Sequence, residues 1–366
     1  MTKKIRKITL IAGARPNFMK IAPIIHAIHD AQSKGSDIAY RLVHTGQHYD
    51  KIMSGSFFEQ LEIPEPHVNL EAGGGTQAEQ TANIMLRFEK ELLANPCDLV
   101  LVVGDVNSTM ACSITAKKMN IRVAHVEAGI RSGDISMPEE INRMLTDAIT
   151  DLFFTTSELA NDNLRQSGIP DHRIHFVGNV MIDTLLKQRP NFKAPAVWKD
   201  LNLSKKNYMV LTLHRPANVD QMSQLKEMLD QIVESTENLP LVFPVHPRTA
   251  KMLEGLICDP RLHMIEPLSY LEFNYLVERA KAVITDSGGI TEEASIMNVP
   301  CLTLRDNTER PETITLGTNI LVGTNPENIK PYLDKLFAGH WKTGQDIPLW
   351  DGKTAPRIID AILKSS

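Results

Sequence analysis

The sequence predicts an α/β protein made of two doubly wound parallel-sheet domains, and three observations carry that prediction. Short apolar runs alternate with amphipathic stretches from Ile8 onward, the pattern of a parallel sheet covered by helices on both faces. The alternation loosens between Val180 and Leu203 and then resumes, which marks a boundary between two halves. At 366 residues the chain is long enough for each half to bury its own core.

In the first half, strands are expected at Ile8 to Ala12, Arg41 to Val43, Leu99 to Val103, Val123 to Val126, Leu152 to Thr155 and His175 to Val177. Thr76 and Glu79 form a capping box ahead of a helix that runs through Leu93, and Pro138 suits the first position of a helix ending near Ile149. The stretch from Lys187 to Pro195 reads as a linker. Strands resume at Met209 to Leu213, Leu241 to Val245, His263 to Ile265, Ala282 to Thr285, Leu302 to Leu304 and Ile320 to Val322, with a second capping box at Ser269 and Glu272. Helically spaced apolar residues at Ile358, Ile359, Ile362 and Leu363 predict a last helix that packs back on the first domain. The expected domains are 1–185 with 354–366, and 186–353.

A net charge of −5 with scattered Lys and Arg argues against nucleic acid and anionic membrane as partners. The four cysteines (Cys97, Cys112, Cys258, Cys301) lack the spacing of a zinc site or the density of a disulfide scaffold, and read as reduced residues of a cytoplasmic protein. The basic N-terminus before Ile8 imitates a signal peptide, but its apolar run is short and Arg15 and Lys20 follow, so it reads as a first strand. No apolar stretch approaches the roughly 20 residues that span a bilayer, so a soluble protein is expected.

The stretch AVITDSGGITEEA, Ala282 to Ala294, carries the strongest chemical signal. A buried strand is cut off by Asp286, Ser287, Gly288 and Gly289 before a helix begins, a shape that holds phosphate on free backbone N–H groups at the helix start. Ser287 adds a hydroxyl donor. Glu292 and Glu293 are expected in the helix's first turn, one capping it and the other reaching a ribose hydroxyl. In the first half GARPNFMK, Gly13 to Lys20, ends a strand and opens a helix, so Arg15 and Lys20 are placed to meet phosphate or the edge of a uracil ring. It lacks the glycine spacing of a nicotinamide site, and no bound NAD is expected.

Asp105 and Glu127 each follow a parallel strand, where side chains face the ligand crevice, and Arg131, Glu139 and Glu140 come soon after. Converging carboxylates can divide acid and base roles; the structural reading of the same residues is a helix cap by Asp105 and an ion pair of Glu127 with Arg131. His214 and Arg215 end the first strand of the second half, and His246 ends another. His44 and His48 have the spacing of a metal pair, but Gly46 between them argues against a helix that could hold a metal.

Taken in order, GARPNFMK, TGQH, GDVNST, HVEAGIRSGD, MPEEINR, LHRP, PVHP, EPLSYLEF, TDSGGITEEA and RDNTERPE resemble the UDP-N-acetylglucosamine 2-epimerase family over nearly the whole chain. The resemblance implies two Rossmann-like domains of GT-B type with the active site in the interdomain cleft, a homodimer, and exchange between UDP-GlcNAc and UDP-ManNAc that feeds cell-surface polysaccharide. It puts catalytic roles on Asp105, Glu127, Glu139 and His214. Substrate contacts fall on Arg15, Lys20, Arg131, Arg215, Ser287, Gly288, Gly289, Glu293 and Arg310, with no metal and no cofactor. Relatives that hydrolyse the substrate to free ManNAc, or that epimerise a 2,3-diacetamido uronate, share these motifs. A GT-B glycosyltransferase would have less use for three carboxylates, and a silent sugar-nucleotide sensor would not need them. Many bacterial relatives also bind an activating UDP-GlcNAc beside the active site. Here Gln47, Arg215 and His246 match that second site, but Asp50 and the glycines of EAGGG replace two of its ligands, which predicts an enzyme without substrate activation.

Overall fold

The structure, a computed structural model, describes residues 6–47, 55–215, 218, 222–245, 253 and 259–365. The chain divides into two compact units, Met1–Thr184 with Pro348–Ser366, and Leu185–Ile347.

Unit 1 is a seven-stranded, all-parallel sheet with strand order β3-β2-β1-β4-β5-β6-β7. Its strands are β1 (Lys7–Ala12), β2 (Ala39–His44), β3 (Val68–Asn69), β4 (Leu99–Val103), β5 (Arg122–Val126), β6 (Leu152–Thr155) and β7 (Ile174–Phe176). Its helices are α1 (Arg15–Ser33), α2 (Gly55–Leu61), α3 (Gln77–Ala94), α4 (Asn107–Lys118), α5 (Pro138–Ile149), α6 (Glu158–Gln166) and the start of α7 (Val180–Gln188). All five residues of β4 are buried, as a strand covered on both faces requires. On one face Val100 and Val102 join Ile11, Val43, Phe88 and Cys112 in a core where each large apolar side chain contributes roughly 1.5–3 kcal/mol. The Thr76 capping box is complete: Thr76 accepts from the N–H of Glu79, and Glu79 accepts from that of Thr76. Strand β3 pairs only with the end of β2; two residues have no period to read, so the sequence did not announce it.

Unit 2 carries α8 (Ala196–Asp200) and a six-stranded parallel sheet of order β10-β9-β8-β11-β12-β13. The strands are β8 (Met209–Thr212), β9 (Leu241–Pro244), β10 (Leu262–Ile265), β11 (Val283–Thr285), β12 (Cys301–Thr303) and β13 (Asn319–Leu321). The helices are α9 (Met222–Glu234), α10 (Tyr270–Arg279), α11 (Gly288–Ile296), α12 (Pro311–Thr315) and α13 (Ile329–Phe337). The Ser269 capping box opens α10 as its spacing predicts.

The expected linker, Lys187 to Pro195, lies next to the division between the two units and consists of the end of α7, a 3-10 turn and four residues without regular structure. Val180, Ile182 and Leu185 are buried on different sides of α7, Pro190 sits in a 3-10 turn and Pro195 precedes α8. The last helix, α14 (Thr354–Lys364), belongs to unit 1. The Asp183 carboxylate accepts from the N–H groups of Thr354 and Ala355 at 3.1 and 2.7 Å, satisfying donors at the helix start. No helix among the described residues is long and apolar enough to cross a membrane.

Candidate active site

Each sheet has one point where strand order reverses direction, and an open parallel sheet takes its ligands outside the carboxyl ends of the strands there. In unit 1 that point lies between β1 and β4, in unit 2 between β8 and β11. Several of the residues singled out in the sequence follow the strands at these points: Arg15 and Asp105 in unit 1, and His214, Arg215 and Ser287 in unit 2.

After β1 the chain turns at Gly13, and the buried Asn17 side chain holds the turn by accepting from the N–H groups of Gly13 and Ala14 at 3.0 and 2.9 Å. After β4 it turns at Gly104, whose φ of +68° favours glycine. A Cβ there would stand 3.1 Å from Lys20 Nζ, so the position also keeps room for that ammonium. Asp105 does not cap α4, whose N-cap is Val106. Arg143 instead donates from Nε and Nη2 to the same oxygen, Asp105 Oδ2, at 3.0 and 2.6 Å. Asp105 Oδ1 accepts no hydrogen bond among the described residues, and the side chain is 31% exposed. Glu127, just past β5, pairs with Lys20 at 2.6 Å rather than with Arg131. Arg131 turns onto the buried carboxylate of Asp147 at 2.7 Å. Both structural alternatives for Asp105 and Glu127 are therefore replaced by other partners.

The two acidic residues that open α5 have different tasks. Glu140 is buried and accepts from the N–H groups of Ser132 and Gly133 and from Arg143. Burial opposes its ionisation, but these donors outweigh it and lower its pKa. Glu139 is exposed. Beneath Gly104, the fully buried His125 ring stands 2.7 Å from Asp147 Oδ1 and 2.8 Å from the Gly104 carbonyl. Asp147 Oδ2 accepts from the N–H of Gly129 at 3.0 Å as well as from Arg131.

In unit 2 the organising group is Asp286, fully buried at the end of β11. Its carboxylate accepts from the N–H groups of His214 and Arg215, from the Asn218 amide, and from His214 Nδ1 at 2.7 Å. Burial alone would raise its pKa; the donors, His214 first, overcome that and pull it down to about 2. The His214 side chain, 61% exposed, is thus anchored at Nδ1. Arg215 donates from Nε to the Asp286 carbonyl at 3.1 Å.

Beside this hub, Ser287 is the N-cap of α11, yet its side chain makes no capping bond, nor any other hydrogen bond among the described residues. Gly288 and Gly289 have negative φ, and among the described residues a Cβ on either would meet no atom from elsewhere in the fold nearer than 3.9 Å. Neither the backbone conformation nor those neighbours require glycine there, and the space beside the turn is open. The atom at 3.9 Å is Arg305 Nη1, on a buried guanidinium that pairs with Glu309 through two bonds of 2.8 Å. The expectation for the two glutamates needs correction. The helix starts at Gly288, which puts Glu292 and Glu293 in its second turn, where neither caps it. Glu292 pairs with Arg310, and Glu293 accepts from the Tyr270 hydroxyl at 2.8 Å. Burial pushes Glu293 up to about 7.

Arg15 lies in the first turn of α1, half-buried. Gln47 is turned inward, accepting from the Ser108 N–H and hydroxyl. His44 packs against Phe18, and burial lowers it to about 4. His48, Asp50, His246 and Cys258 lie outside the described residues. Among those described, no cluster of three His, Cys, Asp or Glu could hold a metal. Sequence reasoning missed Asn17, Arg143, Asp147 and Arg305, and passed over Asp286 as part of a turn. Asp286 stands directly before the serine and glycines, and Asn17 and Arg305 act on near neighbours, Asn17 on Gly13 with Ala14 and Arg305 on Glu309. Arg143 and Asp147 act on Asp105 and His125, distant in sequence.

A family model described as UDP-N-acetylglucosamine 2-epimerase matches residues 30–363. A UDP-N-acetylglucosamine 2-epimerase of Methanocaldococcus jannaschii is 41% identical over 367 residues, covering 96% of this chain and 98% of that protein. A UDP-2,3-diacetamido-2,3-dideoxy-D-glucuronate 2-epimerase of Pseudomonas aeruginosa is 40% identical over 321 residues, 87% of this chain and 88% of that one. The crystal structure of the M. jannaschii enzyme in complex with UDP-GlcNAc and UDP is similar with a TM-score of 0.85, covering 98% of this chain and 100% of that one at 41% identity.

Proposed function

The chain belongs to the UDP-N-acetylglucosamine 2-epimerase family, and from that premise we propose that it interconverts UDP-GlcNAc and UDP-ManNAc without hydrolysis. The observation that carries this reading is the state of Asp105: its Oδ2 is occupied by Arg143 while Oδ1 accepts nothing among the described residues, at the end of the sheet where ligands bind. A carboxylate oxygen so placed suits proton transfer.

The hydrogen on C2 of the sugar is not acidic until the bond from C1 to UDP weakens and positive charge builds on C1. In the first half-reaction that bond breaks, its electron pair leaves on UDP, and a carboxylate takes the C2 proton, giving a 2-acetamidoglucal. In the second, a proton is delivered to the opposite face of C2 and a UDP oxygen re-forms the bond to C1. Two faces need two proton carriers, which accounts for several carboxylates, Asp105, Glu127 and Glu139, in one site. Unit 2 stabilises the leaving diphosphate through the free N–H groups at the start of α11, the Ser287 hydroxyl and His214. Arg15, Lys20, Arg131, Arg215, Gly288, Gly289, Glu293 and Arg310 complete the substrate contacts. No cofactor, metal or activating second substrate takes part.

Three further assignments belong to the same reading: a cytoplasmic enzyme, a place in polysaccharide biosynthesis, and a homodimer. Support for the dimer comes from unit 1. Ile141, Met144 and Leu145 share one face of α5 and are 43%, 46% and 45% exposed, while Leu86 and Leu93 on α3 reach 61% and 68%.

Anion-exchange chromatography of UDP-GlcNAc incubated with the enzyme tests the reading. UDP-ManNAc at equilibrium, with no accumulation of UDP, is the expected result. Free ManNAc released with equal UDP would assign a hydrolysing enzyme. An inert UDP-GlcNAc alongside conversion of the diacetamido uronate named for the P. aeruginosa relative would assign that substrate instead.

A further inference from the structure

A buried histidine caught between two acceptors lies beneath the unit 1 carboxylates. His125 is fully buried on β5, opposite Val102 of β4 and Phe153 of β6. Its Nε2 is 2.8 Å from the Gly104 carbonyl, which can only accept, and its Nδ1 is 2.7 Å from Asp147 Oδ1. Burial favours a neutral Asp147, yet His125 and Arg131 more than offset it and hold the carboxyl below its ordinary value, so this oxygen accepts too. A neutral imidazole carries one N–H and can serve only one of these acceptors; the doubly protonated ring serves both.

The same carboxylate reaches further. Its second oxygen takes the Gly129 N–H and Arg131, which fixes the corner after Glu127, while the His125 ring fixes the carbonyl before Asp105. One buried pair, His125 with Asp147, therefore ties down both strand ends from which Asp105 and Glu127 project. A lone structural histidine would need only one of these bonds.

We propose that His125 is a buried imidazolium which, with Asp147, acts as a positioning residue for the two carboxylates Asp105 and Glu127. The catalytic part of this inference rests on the epimerase reading above, whereas the charge state of the ring does not. With the ring charged and both bonds made, the strand ends are held where proton transfer to and from C2 requires them. A displacement of about 1 Å at a reacting group costs on the order of 100-fold in rate.

Two measurements decide it. In the wild-type protein carrying 15N-histidine, long-range 1H–15N correlation spectra at pH 8 should show both His125 ring nitrogens protonated. One unprotonated nitrogen at that pH would overturn the charge assignment. Separately, His125→Gln and the near-isosteric Asp147→Asn should each lower kcat by about 100-fold and leave KM for UDP-GlcNAc and the affinity for UDP within about twofold. Wild-type kcat in a folded variant, or a loss confined to KM, would overturn the positioning role. If the wild-type enzyme does not epimerise UDP-GlcNAc, the reading of function fails, and the spectra still decide the state of the ring.

Discussion

Asp105 and Glu127 show what a single residue owes to partners far along the chain. The sequence placed both at strand ends, but it could not show that Arg143 would hold one and Lys20 the other, because those pairs span 38 and 107 positions. Asp105→Asn and Glu127→Gln should each cut kcat by about 100- to 10,000-fold while calorimetry finds UDP binding unchanged; near-normal turnover in both would remove them from the chemistry. Glu293 offers a second test, on stability. Its folded pKa, about 7, lies above the ordinary 4.5. The folded state therefore binds the proton more tightly, and the group's contribution is full below pH 4.5 and lost as pH rises through about 7. Thermal unfolding of the free enzyme across pH 4 to 8 should show the wild type losing stability relative to Glu293→Gln as pH rises. A pH-independent difference between the two would contradict the buried placement.

At the scale of the element, capping boxes and buried strands were the most legible features. Thr76 with Glu79, Ser269 with Glu272 and Pro138 mark the starts of α3, α10 and α5 because each satisfies or dispenses with an orphan N–H by local chemistry alone. The stretch through Pro190 and Pro195 carries a 3-10 turn and irregular backbone beside the division between the units, whereas the helices that flank it, α7 and α8, depend on burial that composition does not reveal. The glycine turn before α11 was expected to let a phosphate approach the backbone, and the structure adds that the space beside Gly288 and Gly289 is open among the described residues. Gly288→Ala and Gly289→Ala introduce Cβ atoms without any clash and give the first helical turn a better helix former, so each should leave stability unchanged or raise it by about 0.4–1 kcal/mol. The same substitutions should weaken UDP binding roughly tenfold or more, about 1.4 kcal/mol. Paired unfolding and calorimetry measurements check this, and unaltered UDP affinity would show that no phosphate approaches the turn.

For the whole molecule, alternating apolar runs announced two parallel sheets but not the order of their strands. Strand order depends on which strands become neighbours, and it decides where each sheet reverses and hence which loops meet. That the GARPNFMK and GDVNST turns share one reversal point, and LHRP and TDSGG the other, became visible only in the fold. The apolar faces of α3 and α5 lead to a prediction at this scale: if they form the proposed homodimer, Met144→Glu combined with Leu145→Glu should lower the sedimentation coefficient to that of a monomer, and an unchanged coefficient would contradict a dimer through these faces. The central claim is that a carboxylate removes and returns the proton on C2, and proton NMR of UDP-GlcNAc with the enzyme in D2O tests it most directly. The account predicts that deuterium replaces the C2 hydrogen in both UDP-GlcNAc and UDP-ManNAc as the two equilibrate; UDP-ManNAc formed with its original C2 hydrogen retained would contradict it.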